Sequence, residues 1–203
     1  YILYLHYTKA KGPCYARQLI REQYNNEDYY LQIDSHMRAC KLWDECLINS
    51  LNKLPSYKAL ISCYPPPYVP DRSNYLKIKY SALGYYTNIG TKSSLHNYYK
   101  AGKLLNTTGK PVRNFHIAAG FHFAPMKWVK AVIYPGDLYF HGEEDSLRIQ
   151  SYTKGWTVYC PEKVIFWHYY NNTSDKNTSD KNNTTKLVQW RDNPKLKKKK
   201  FNL

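Results

Sequence analysis

Asp34 and His36, two residues apart at the end of the run "DYYLQIDSH", are the first side chains in this sequence placed to do chemistry. Residues two apart on an extended chain point the same way. A carboxylate oxygen and an imidazole nitrogen on one side could share a divalent metal, and that pair tolerates Mn²⁺ well. An aspartate at a strand end also serves to cap the turn that follows, so the pair alone leaves both readings open. His168 closes a second hydrophobic run, "VIFWHYY", as a further ligand or as a histidine satisfied among aromatic rings. In "FHGEEDS", Glu143 and Glu144 follow a glycine. There they either complement a helix dipole or accept hydrogen bonds from sugar hydroxyls. In "AAGFHFAP", Ala119 and Gly120 are small enough to let a ligand approach the backbone.

These residues need elements to hold them. "YILYLHY" reads as a buried strand, and Pro13 behind Gly12 opens a helix over "PCYARQLIREQY". On that helix Leu19 and Ile20 face the core, while Arg17 and Arg21 lie four apart on one side. "DYYLQIDSH" is the next strand. "LWDECLINSLNKL" is an amphipathic helix with Trp43, Leu47, Leu51 and Leu54 at helical spacing. "YKALISCY" is a strand stopped by the polyproline-like "PPPYVP". Residues 71–115 are polar, with loops and short strands expected. "NFHIAAGFHFAP" reads as a strand pair or a bent strand, and "MKWVKAV" as a short helix. "EEDSLRIQSYTKG" is a helix capped by Gly155. "WTVYCP" and "KVIFWHYY" close the pattern as two short strands. Strands alternating with helices predict an α/β fold with a mostly parallel central sheet flanked by helices. In such sheets ligands gather at the carboxyl ends of strands, where Asp34 falls.

A chain of 203 residues suits one domain with a real core. The five cysteines are scattered and contain no CxxC pair, which favours reduced thiols in an intracellular compartment over a disulfide framework. No apolar run approaches a membrane span. The net charge is +15, but seven Lys/Arg against one Asp in residues 186–203 place +6 of it in the tail. The charge therefore argues only weakly for a nucleic-acid partner. After Tyr170 the unit "NTSDK" occurs twice in tandem without an apolar residue. Residues 1–170 are thus read as the folded domain and 171–203 as a low-complexity, basic tail.

Taken in order, "GPCYARQLI", "YYLQIDSHMR", "KALISCYPPPY", "AAGFHFAP", "FHGEE", "TKGW" and "PEKVIFWHYY" resemble the GlcNAc-transferase family that modifies hydroxyproline in cytoplasmic proteins. The resemblance runs from about Gly12 to Tyr169. The Asp-Ser-His triplet and a Gly-Glu element also occur in the polypeptide GalNAc-transferases, which share the GT-A fold. The resemblance implies a retaining transfer of GlcNAc from a UDP-sugar to a protein hydroxyl. Asp34, His36 and His168 would hold a divalent cation, Mn²⁺ ahead of Mg²⁺. Asp34, Ser35, Ala119, Gly120 and Glu143 would line the donor. Arg17 would reach the nucleotide or its phosphates, and Glu143 and Glu144 would hold donor hydroxyls. The partners implied are a nucleotide sugar and a protein acceptor.

The pattern departs from the family at three places. The family begins with a strand upstream of anything here, so the chain reads as N-terminally incomplete and lacking the first strand of the nucleotide pocket. An arginine is expected near Gln150, where Arg148 is the nearest, and the "NTSDK" repeat stands where a basic residue should follow His168. A truncated, inactive relative serving as a binding module is therefore the alternative reading.

Overall fold

The computed structural model describes residues 2–70, 78–80, 84–87, 103–106 and 109–169. The expected tail, 171–203, lies outside these residues, as does much of the polar stretch between 71 and 108. Two compact units are present: residues 2–25 with Tyr134–Glu143, and Asn26–Ile133 with residues 144–169.

The smaller unit contains a 3₁₀ turn, Tyr7–Lys9, and helix α1, Pro13–Arg21. Pro13 occupies the first turn, where its missing N–H has no partner to lose. Gly12 precedes it at φ +110°, and a Cβ there would stand 2.7 Å from Tyr139. Both facts demand glycine. Two expectations are corrected here. The described part of "YILYLHY", residues 2–7, forms no strand, and Ile2, Leu3, Tyr4 and Tyr7 are exposed. A strand needs a neighbour for its backbone groups, and among the described residues none pairs with this run. On α1, Ile20 faces outwards and the buried positions are Cys14 and Arg21. The Arg21 guanidinium lies 5.0 Å over the Tyr134 ring, a cation–π contact that lets a charged residue take the inner face.

The larger unit is built on strands β1 (Tyr29–Ile33), β2 (Met37–Ala39), β3 (Ala59–Ser62), β4 (Tyr68–Pro70), β5 (Ile78–Tyr80), β6 (Gly84–Thr87), β7 (Lys103–Asn106), β8 (Val112–Asn114), β9 (Phe121–Pro125), β10 (Thr157–Cys160) and β11 (Phe166–His168). Its helices are α2 (Trp43–Asn52) and α3 (Met126–Ala131). Helix α4, Glu143–Thr153, starts in the smaller unit with its first residue and continues in the larger. Five strands form the central sheet in the order β1-β9-β3-β10-β8. The sheet is mixed. β1, β3 and β10 run one way, and β8 and β9 run against them, so β3 and β10 are its parallel neighbours. The remaining strands pair antiparallel, β2 with β11, β4 with β5 and β6 with β7.

Strand β3 is buried along its whole length, as expected of a central strand covered on both faces. α2 packs on β3, and α3 on β9 and β1. The core gathers Leu47 of α2, Ile61 of β3, Phe121 and Phe123 of β9 and Phe166 of β11. Trp43, grouped with Leu47 by helical spacing, stays 40% exposed at the start of α2. Gly155 ends α4 at φ +78°, the left-handed conformation foreseen for its cap.

The burial difference sets the energetics. Leu47→Ala, at a fully buried position, is expected to cost about 2–5 kcal/mol in urea unfolding. Ile20→Ala, at a position 60% exposed, is expected to stay within about 0.5 kcal/mol of the parent. Equal losses would contradict the assignment of the core.

Candidate metal centre and its supporting loop

β1 stops at Ile33, and the Asp34 N–H then donates to the Gly120 carbonyl at 3.0 Å. Ser35 and His36 form an exposed turn before Met37 opens β2. Asp34 and His36 are therefore brought to one side by a turn rather than by an extended chain. β2 pairs with β11 so that Met37 lies opposite His168. The register is pinned at its open end. The Tyr169 N–H donates to the His36 carbonyl and the His168 N–H to the Pro66 carbonyl, each at 3.0 Å.

This register brings three ligand types together. His168 Nε2 is 3.3 Å from Asp34 Oδ2. The His36 and His168 rings meet edge-on, with centroids 4.3 Å apart. One ligand atom from each of Asp34, His36 and His168 lies within 4.8 Å of the others. Ligands of a divalent ion stand about 2.0–2.2 Å from it, so the cluster has the scale of a shared coordination sphere. The donor set, one carboxylate oxygen and two imidazole nitrogens, fits a divalent metal cation. His168 is 12% exposed and Asp34 28% exposed, while His36 lies at the surface, so the cluster is reachable from solvent.

Gly120 makes room for it. A Cβ on Gly120 would come 2.6 Å from Asp34 Oδ2, closer than real Cβ atoms come to a neighbour. The space a side chain at residue 120 would fill is taken by the Asp34 carboxylate. Ala119 is similarly engaged. Its carbonyl accepts from Gln32 Nε2 at 2.5 Å, and its N–H donates to Glu144 Oε1 at 2.8 Å. The other oxygen of Glu144 accepts from the Tyr64 hydroxyl at 2.6 Å. Sequence reading did not single out Tyr64. Its one mark is its place between the end of β3 and the proline run, which hides a tyrosine in a chain of 22.

The smaller unit holds Arg17 and Glu143. Arg17 Nη1 reaches both Glu143 oxygens, at 2.9 and 2.7 Å, and the Tyr134 hydroxyl donates to Oε1. Glu143 is 2% exposed and Arg17 17% exposed, so this is a buried, charge-assisted pair. Beside it, burial and the Glu143 charge push the Cys14 thiol up to about 12, which keeps it protonated. The neighbouring acids thus belong to different constellations, Glu143 with Arg17 and Glu144 with Ala119 and Tyr64. Arg148, noted as the nearest arginine to Gln150, pairs with Asp145 at 2.9 Å and lies over the Phe115 ring. Gln150 clasps the main chain of Ile133, accepting from its N–H and donating to its carbonyl, each at 2.9 Å.

The family described as glycosyltransferase (GlcNAc) matches residues 2–201. The chain belongs to that family. Its fold is that of a GT-A glycosyltransferase. The crystal structure of GalNAc-T7 with UDP, GalNAc and Mn²⁺ superposes with a TM-score of 0.58 at 15% identity. The likeness covers 79% of this chain and 30% of that one, so the family member described here spans about a third of that protein's length. No curated protein gives a significant match. Among the described residues of this glycosyltransferase-family chain, no helix is long and apolar enough to cross a membrane.

Because a Cβ at residue 120 would displace Asp34, Gly120→Ala is expected to weaken Mn²⁺ binding by about 10–100-fold, as loss of an orienting contact does. Titration followed by the electron paramagnetic resonance signal of unbound Mn²⁺ measures it. Parental affinity in a folded variant would show that Asp34 is not held by this contact.

Proposed function

We propose that the chain is a metal-dependent glycosyltransferase moving GlcNAc from UDP-GlcNAc to a protein hydroxyl of the hydroxyproline type, with retention at the anomeric carbon. The observation that carries the proposal is the Asp34–His36–His168 cluster in a member of the GlcNAc-transferase family. Its fold neighbour was crystallised with UDP and Mn²⁺. When bound, the cation supplies positive charge against the diphosphate of the departing UDP.

The residues have separate tasks. Asp34, His36 and His168 hold the cation, with Ser35 as the exposed link between the first two. Gly120 and Ala119 shape the backbone beside Asp34. Glu144, half-buried and tied to Tyr64, takes a hydroxyl of the donor sugar alongside its own bonds. In the smaller unit, Glu143 orients Arg17, a planar cation suited to phosphate oxygens. The bond between the anomeric carbon and the β-phosphate oxygen breaks as the acceptor hydroxyl forms a new bond on the same face. The acceptor's proton passes to the departing phosphate oxygen, so no side-chain base is required. The chief contribution of the protein is electrostatic, fixed before the bond breaks.

A thermal melt tests the proposal. UDP at about 100 times its Kd should add about 2–3 kcal/mol of stability, with Mn²⁺ present and not with chelator. Asp34→Ala should abolish that protection, and the parent should release UDP from UDP-GlcNAc. Protection without Mn²⁺ would contradict the metal assignment. Protection without UDP release would point instead to a binding module.

A further inference from the structure

The loop between β8 and β9 has no regular structure, yet buried polar side chains hold nearly every turn of it. Ser62 stands in the fully buried strand β3, where an unbonded hydroxyl would be costly. It accepts from the Ala118 N–H and donates to the Phe121 carbonyl, both at 2.8 Å. Asn114, 4% exposed, uses both ends of its amide. Nδ2 donates to the Ser62 carbonyl at 2.8 Å and the His116 carbonyl at 3.1 Å. Oδ1 accepts from the N–H groups of Phe115 at 2.8 Å and His116 at 3.4 Å. From β1, Gln32 binds the Ala119 carbonyl and is itself held by the Tyr30 hydroxyl at 2.8 Å. His122 Nδ1 meets the Ala118 carbonyl at 3.2 Å.

We propose that Ser62, Asn114 and Gln32 are positioning residues for the metal-binding carboxylate of Asp34, acting through the backbone of residues 115–120. This rests on the reading of Asp34, His36 and His168 as metal ligands. The link is direct. Gly120 at the end of the loop accepts the Asp34 N–H, and its Cα faces the Asp34 carboxylate with no room for a further carbon. A shift of the loop by a fraction of an ångström therefore moves the carboxylate or removes the surface against which it rests. A loop bonded mainly to its own backbone or to water would not fix that surface so closely. Buried polar groups in β1, β3 and β8 serve this purpose at the expense of apolar packing.

The test measures Mn²⁺ affinity of the full chain, with circular dichroism and a melt to confirm folding. Ser62→Ala removes the hydroxyl, and Gln32→Met removes only the amide from a side chain of similar shape, so it serves if Ser62→Ala fails to fold. Ser50→Ala is the control, because Ser50 is also fully buried in the larger unit but lies on α2, away from the loop. The first two are expected to weaken Mn²⁺ binding by about 10–100-fold, and the control to leave the affinity unchanged. Parental affinity in folded Ser62→Ala or Gln32→Met overturns the inference, as does equal weakening in Ser50→Ala. A parent that binds no Mn²⁺ at all instead overturns the metal assignment beneath it.

Discussion

The antiparallel pairing of β2 with β11 is the constraint on which the site depends. Met37 must lie opposite His168 for residues separated by more than a hundred positions to offer ligands to one point. Side chains alternate along a strand, so a slip of one residue would turn His168 to the other face. The hydrogen bonds from Tyr169 to His36 and from His168 to Pro66 oppose that slip. The apolar residues beside them, Phe166 and Met37, sit in the core and resist it further.

A second layer of control comes from the loop before β9. Its backbone supplies both the partner for the Asp34 N–H and the surface against the Asp34 carboxylate. The loop is fixed by buried amides and a hydroxyl rather than by a ladder. Such groups destabilise a core unless fully bonded, and here the described bonds use both ends of Asn114 and both roles of the Ser62 hydroxyl. The neighbouring acids divide in a similar way. Glu143 is consumed by Arg17 and Tyr134, whereas Glu144 supports Ala119 with Tyr64.

Most of the elements could be read from hydrophobic period and from glycine and proline. α1, α2, α4, β3 and β9 fall where "GPCYARQLI", "LWDECLINSL", "GEEDS", "KALIS" and "GFHFAP" place them. The clustering of Asp34, His36 and His168 was legible because two strand ends each stop at a residue of a type that can ligate a metal. Local reading failed where burial is decided by distant partners. "YILYLHY" has strand composition but no neighbour among the described strands. Ile20 loses the inner face of α1 to Arg21, because Tyr134 offers its ring. Tyr64, Asn114 and Ser62 gave no signal, since their importance lies in hydrogen bonds to residues dozens of positions away. At Gly120 the described neighbour that comes close is the Asp34 carboxylate.

One cation shared by Asp34, His36 and His168 can be detected directly. Pulsed electron paramagnetic resonance of the Mn²⁺-loaded protein reads imidazole nitrogens directly bonded to the ion. Couplings from two imidazoles are expected, the ring nitrogens of His36 and His168, one lost in His36→Ala and the other in His168→Ala. Mn²⁺ bound with no imidazole coupling, or with both couplings surviving either substitution, would contradict the shared site.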